Sequence, residues 1–142
     1  MRLENEITQL EIPTDIFERM LTLVKANASV ETCGILAGRD ARVEKLYEMT
    51  NVENRSYHFM MEPREQFTVV KDIRAAGLKI LGIYHSHPET PARPSKEDIR
   101  LALTPDVTHI IVSLQNLECP VVKGFAIDNG TVRQVQIKTE VE

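Results

Sequence analysis

Behind Pro13 the apolar side chains Phe17, Met20, Leu21, Val24 and Ala28 recur at helical spacing, which aligns them on one face. The pattern predicts a first helix over 14–28 with Thr14 or Asp15 as its N-cap. The period then changes. Residues 32–37 form a compact apolar run, Gly38-Arg39-Asp40 is turn-like, and 41–50 can return as a hairpin partner. A polar loop over 51–56 precedes a short strand over 57–61. Pro63 suits the first position of a second helix, which reaches residue 76 before Gly77 stops it. Residues 78–85 put Leu78, Ile80, Leu81, Ile83 and Tyr84 on both faces, as in a strand covered on both sides. Pro88, Pro91 and Pro94 force the next loop open, and Ser95 begins a helix with Ile99, Ala102 and Leu103 as its inner stripe. Strands over 107–114, 121–128 and 131–138 complete the chain, the last two joined by the turn Asp128-Asn129-Gly130. This alternation predicts an α/β domain with a mixed β-sheet and helices packed on its faces.

Composition narrows the class. A chain of 142 residues fits one domain, spanning 1–142, and buries a core without disulfides or structural metals, so a bound metal is expected to be functional. No apolar run approaches the length needed to cross a bilayer. The N-terminus carries acidic residues and no apolar segment of signal-peptide length, which predicts a cytoplasmic protein. There, Cys33 and Cys119 need not pair, and both read as small buried apolar residues. Net charge is −4, from 17 basic and 21 acidic residues intermixed along the chain. With no basic run, nucleic acid is not an expected partner.

The chemistry concentrates in residues 84–98, Tyr-His-Ser-His-Pro-Glu-Thr-Pro-Ala-Arg-Pro-Ser-Lys-Glu-Asp. In an extended chain His85 and His87 point to one side and Ser86 to the other. Two imidazoles on one face suit a metal. Catalytic zinc takes three protein ligands, often two His and a carboxylate, and leaves a position for water. Asp98 is the candidate third ligand. Ser95 and Asp98 also form a Ser-x-x-acid capping box, a sufficient explanation of both residues taken alone and one compatible with catalysis. A metal-activated water needs a proton acceptor that does not ligate the ion. Glu31, at the start of the early strand, is the candidate, although such a residue alone reads as a solvated strand end. Zinc deaminases pair His-x-Glu with Pro-Cys-x-x-Cys; His87-Pro88-Glu89 supplies the first, but the second is missing, as is a His-Glu-x-x-His helix. His58 and His109 read as structural.

Glu31, then His85-x-His87, seven residues, Ser95, two residues and Asp98 reproduce the signature of the JAMM (MPN+) metallopeptidases, and the flanking Gly34-Ile-Leu-Ala-Gly38, Tyr84, Pro88 and Pro94 agree with it. The chain resembles that family over nearly its whole length. The resemblance implies a cytidine-deaminase-like α/β sandwich and a Zn2+ ion bound by His85, His87 and Asp98. It further implies that Glu31 is general base and then acid, and that the Ser95 hydroxyl steadies the oxyanion. Without the insertions of eukaryotic deubiquitinating relatives, the chain is similar to the standalone bacterial branch. Members of that branch cut after the C-terminal Gly-Gly of ubiquitin-like sulfur-carrier proteins. A tail without side chains calls for recognition by backbone pairing in a narrow groove, and 57–61 and 89–93 are the segments expected to form it. Three alternatives stand beside this reading: an isopeptidase acting on modified lysines, a noncatalytic MPN scaffold, and an unrelated α/β domain with an incidental helix cap. Scaffolds of the family characteristically lose zinc ligands, whereas this chain retains them all.

Overall fold

A computed structural model describes residues 7–53, 59–102, 104 and 106–139. In chain order the elements are β1 (Gln9–Glu11), α1 (Thr14–Ala26), β2 (Cys33–Arg39), β3 (Arg42–Met49), α2 (Pro63–Ala75), β4 (Lys79–His87), α3 (Lys96–Arg100), β5 (Thr108–Ser113), β6 (Val121–Asp128) and β7 (Thr131–Lys138). The strands form one sheet in the order β1-β3-β2-β4-β5-β6-β7, closed where β1 runs parallel to both β7 and the start of β3. The β4–β5 pair is also parallel, and the remaining neighbours are antiparallel. The expected mixed-sheet α/β architecture is present, and among the described residues no helix is long and apolar enough to cross a membrane.

Two clusters lie on opposite faces of the central strands. Met20 and Val24 of α1 pack with Leu36, Tyr84, Ile110 and Val112. On the other face Ile73 and Val69 of α2 pack with Cys33, Ile35, Ala37 and Ile83. A third cluster joins Ile111, Phe125 and Ile127 to Ala92 and to Ile99 and Ala102 around α3. Residues opposed in a ladder share a face. The pairs Gly34↔Tyr84 and Cys33↔His85 therefore assign Tyr84 to the α1 side and His85 to the α2 side.

Several sequence expectations are corrected. The three-residue β1 went unrecognised, being too short to display alternation and held by backbone pairing to β7. The N-cap of α1 is Pro13 rather than Thr14 or Asp15, and no side chain caps it. The Thr14 hydroxyl instead donates to the Thr139 carbonyl at 2.7 Å, tying α1 to the end of β7. Residues 57 and 58 of the expected short strand, and Leu103 of the α3 stripe, lie outside the described residues; at 59–61 the pairing is a single bridge, Asn51↔Met61. Cys33 is buried, but Cys119 is exposed, because its segment turns outward between β5 and β6. The limits of α2 match expectation closely: Pro63 opens it, Glu62 accepts from the Glu65 N–H, and Gly77 follows it at φ 72°.

Gly34 makes close packing possible on the α1 face. A Cβ there would lie 2.1 Å from the Tyr84 ring. Gly34→Ala is expected to cost about 1–3 kcal/mol through overpacking, read as a lower midpoint in urea denaturation.

Candidate metal centre

Strand alternation brings His85 and His87 to the α2 face at the end of β4. The β2–β4 pairing continues one residue beyond β2: Ser86 N–H donates to the Thr32 carbonyl at 2.9 Å, and Thr32 N–H donates to the Ser86 hydroxyl at 2.8 Å. By that register Glu31 lies across from His87, on the same face. Glu31, His85 and His87 are all buried.

Asp98 arrives from the proline-rich loop. Ser113 donates its hydroxyl to the Thr90 carbonyl and Gln115 its side-chain amide to the Glu89 carbonyl, at 2.7 and 3.1 Å, pinning the loop to the end of β5. The His87 Nδ1–H donates to the Pro91 carbonyl at 2.9 Å. The chain then enters α3 through the expected capping box: Asp98 N–H donates to Ser95 Oγ at 3.0 Å and Ser95 N–H to Asp98 Oδ2 at 2.9 Å. This turn carries the Asp98 carboxylate over the end of β4.

The Nε2 atoms of His85 and His87 lie 3.2 Å apart. Asp98 places Oδ1 3.3 Å from His85 Nε2 and Oδ2 3.0 Å from His87 Nε2. A tetrahedral site with bonds of about 2.0–2.1 Å has ligand–ligand edges of about 3.3 Å. The three side chains therefore have the donor set and mutual spacing of a metal site. With Nδ1 of His87 committed to Pro91, its Nε2 is the atom free to ligate. Phe59 stacks on His85 at a centroid separation of 4.7 Å and fixes the ring, whose buried Nδ1 has no hydrogen-bond partner.

Charge balance within the cluster follows from burial and mutual contact. Burial raises Asp98, but its contacts with His85 and His87 outweigh this and hold it below the ordinary carboxylate range. Burial lowers His87, yet Asp98 and the Pro91 carbonyl raise it overall. Burial dominates at His85 and lowers it. Glu31 is pushed up to about 8, chiefly by burial, with His87 pulling it down and Asp98 raising it further. A carboxyl poised near neutrality and beside such a donor set has the character that proton transfer requires.

A cleft of about 200 Å³ opens beside the cluster. Phe59, Met60 and Met61 line it together with Leu101 and Ala102, and His85, Asp98 and His109 reach it from within. Sequence reasoning singled out 57–61 but missed the stacking role of Phe59. His109, read from the sequence as structural, borders the cleft, and among the described residues its buried Nε2 has no partner. The parallel pair Ile83↔His109 puts His109 on the His85 face, a placement hidden inside an apolar run. His58 is outside the described residues. Ser95 is exposed at the start of α3, its oxygen accepting the cap bond from Asp98.

Residues 13–125 match the family described as prokaryotic homologs of the JAB domain. The chain belongs to that family. This JAB-domain chain is 31% identical over 127 residues to the CysO-cysteine peptidase of Mycobacterium tuberculosis, covering 88% of this chain and 87% of that protein. It is 34% identical over 90 residues to a desampylase of Pyrococcus furiosus, covering 63% of this chain and 64% of that one. A solution structure of a Desulfitobacterium hafniense protein superposes with a TM-score of 0.85 at 41% identity, covering 94% of each chain. The JAB-domain chain is a JAMM-type hydrolase, as its sequence led us to expect.

The raised Glu31 makes the metal-free protein pH-sensitive with a definite sign. Between its ordinary 4.5 and about 8, the folded state holds a proton that the unfolded state releases. Its stabilising contribution is therefore lost as pH rises through this window. Glu31→Gln, neutral throughout, is expected to gain melting temperature relative to the unsubstituted protein as pH goes from 5 to 8. A constant difference across that range would contradict the burial-driven shift.

Proposed function

We propose that this JAB-domain hydrolase is a zinc peptidase that cuts the bond after the C-terminal Gly-Gly of a ubiquitin-like sulfur-carrier protein. The observation that carries the reading is the convergence of His85 Nε2, His87 Nε2 and the Asp98 carboxylate within 3.0–3.3 Å, with the buried Glu31 carboxyl on the same face. The relative named as a CysO-cysteine peptidase supports a bond to a released amino acid.

His85, His87 and Asp98 would hold the zinc ion, which supplies an activated water and polarises the scissile carbonyl. Glu31 accepts the proton of the attacking water and returns it to the leaving amine, a role for which a carboxyl pushed up toward neutrality is suited. The Ser95 hydroxyl donates to the developing oxyanion while its oxygen caps α3. The apolar walls at Phe59 to Met61 and at Leu101 and Ala102 exclude water and confine an extended tail. Two glycines add no side chain to such a narrow passage.

The desampylase relative favours a second reading in which the same residues release a ubiquitin-like modifier from lysine. Product chemistry separates the two. Sulfur-carrier proteins bearing a cysteine after Gly-Gly, and carriers conjugated to lysine, are incubated with the protein with and without a chelator, and cleavage is read by mass spectrometry. The primary reading expects chelator-sensitive cleavage after Gly-Gly on the cysteine-extended carrier. Cleavage confined to the lysine conjugate selects the second reading, and cleavage of neither removes both.

The residue roles are separable. Asp98→Asn is expected to lose zinc, measured by elemental mass spectrometry, because it removes one of about three protein ligands. Glu31→Gln is expected to keep the metal and lose most turnover; loss of zinc in that variant contradicts the assignment. Ser95→Ala is expected to retain zinc while turnover slows about a hundredfold, and a near-normal rate rules out the oxyanion role.

A further inference from the structure

Asn51 lies in what the sequence shows only as a polar loop, yet it joins Glu31 to the wall of the cleft. Its Nδ2 donates to the Glu31 carbonyl at 2.8 Å. Its Oδ1 accepts from the Met60 N–H at 2.9 Å and from the Glu53 N–H at 3.0 Å. A primary amide can satisfy this geometry because it presents donors on one atom and an acceptor on the other. Glu31 needs such support. It lies just before β2, and among the described residues its buried Oε1 has no hydrogen-bond partner to orient the carboxyl. Its main chain is held from the side: Asn51 takes the carbonyl, and the Ser86 hydroxyl takes the next N–H, at Thr32.

We infer that Asn51 is a positioning residue for Glu31, bracing its backbone opposite Ser86 and tying it to the cleft wall at Met60. The inference rests on the proposed role of Glu31 as proton acceptor and adds a physical link between that group and the wall against which substrate lies. Met60 is 49% exposed on this wall and is joined to the Glu31 carbonyl through a single side chain. Substrate that orders the 59–61 segment thereby also orders the proton acceptor, which favours transfer when the cleft is filled. Asn51 acts through Glu31 and touches no reacting atom.

The test uses Asn51→Ala and Asn51→Asp in the full chain. The aspartate keeps the acceptors for Met60 and Glu53 but withdraws the donor from Glu31. Amide exchange, followed by mass spectrometry, is expected to become about tenfold or more faster at Thr32 in both variants, while Tyr84 and His85 stay protected. Faster exchange at Met60 is expected in Asn51→Ala alone. On the carrier conjugate that the unsubstituted protein cleaves, kcat is expected to fall about ten- to a hundredfold with KM and zinc content nearly unchanged. In a Glu31→Gln background the Asn51 substitutions should have no further effect on kcat. Ser86→Ala should reproduce the loss from the opposite side, and Ser86→Thr, which keeps the hydroxyl, should restore it.

Unchanged exchange at Thr32 in folded Asn51 variants overturns the brace, with or without an active substrate. A kcat loss that persists in the Glu31→Gln background, or that accompanies loss of zinc, overturns action through Glu31. If Glu31→Gln alone remains active, the proton-acceptor reading fails instead, and the two failures are thereby distinguished.

Discussion

The site depends on the register between β2 and β4. The pairing Cys33↔His85 sets which side chains share a face, and with a period of two a slip of one residue exchanges the faces. Such a slip would turn His85 and His87 into the apolar cluster around α1 and bring Ser86 to the cleft. The register is held where Gly34 admits the Tyr84 ring, since a side chain at position 34 would occupy that space. It is held again at the strand ends, where Thr32 and Ser86 exchange two hydrogen bonds, one through a side chain. Packing on the α1 face thus determines chemistry on the α2 face.

That chemistry carries an energetic burden. Two imidazoles and a carboxylate are packed within hydrogen-bonding distance, and a second carboxyl is buried nearby without a partner for one of its oxygens. Burying polar groups in this way is unfavourable unless another interaction compensates. Asp98 and His87 compensate each other in part. Glu31 does not, and it remains neutral to a higher pH than a solvated carboxyl. A cation at the centre would relieve both the crowding of the ligand atoms and the electrostatic isolation of Glu31. The arrangement sacrifices stability in the free protein to keep a carboxyl buried beside the histidines.

The sequence disclosed those parts of the site that are local. His85 and His87 were legible because alternation along one strand is enough to place them together. Ser95 and Asp98 were legible as a cap because a capping box is a four-residue pattern, and α2 because Pro63 and Gly77 mark its two ends. Glu31 was different: its place beside His87 arises from a contact spanning 54 residues between Thr32 and Ser86, which no local period encodes. Family resemblance supplied it. Asn51 was missed for the same reason, since an amide in a polar loop has no pattern of its own. The N-cap of α1 was misread because Pro13 serves there sterically, leaving Thr14 free to bond Thr139.

The capping box at α3 has a consequence beyond its helix. One oxygen, Asp98 Oδ2, receives the Ser95 N–H and also faces His87. A helix of five residues cannot sustain itself in isolation. Its ordering is therefore borne by this cap and by packing of Ile99 and Ala102. Leu101 and Ala102, which follow directly, form one wall of the cleft. Under the proposed function, an ion held at the centre would share this carboxylate with the cap that orders the wall, so its binding and the shape of the cleft would be linked.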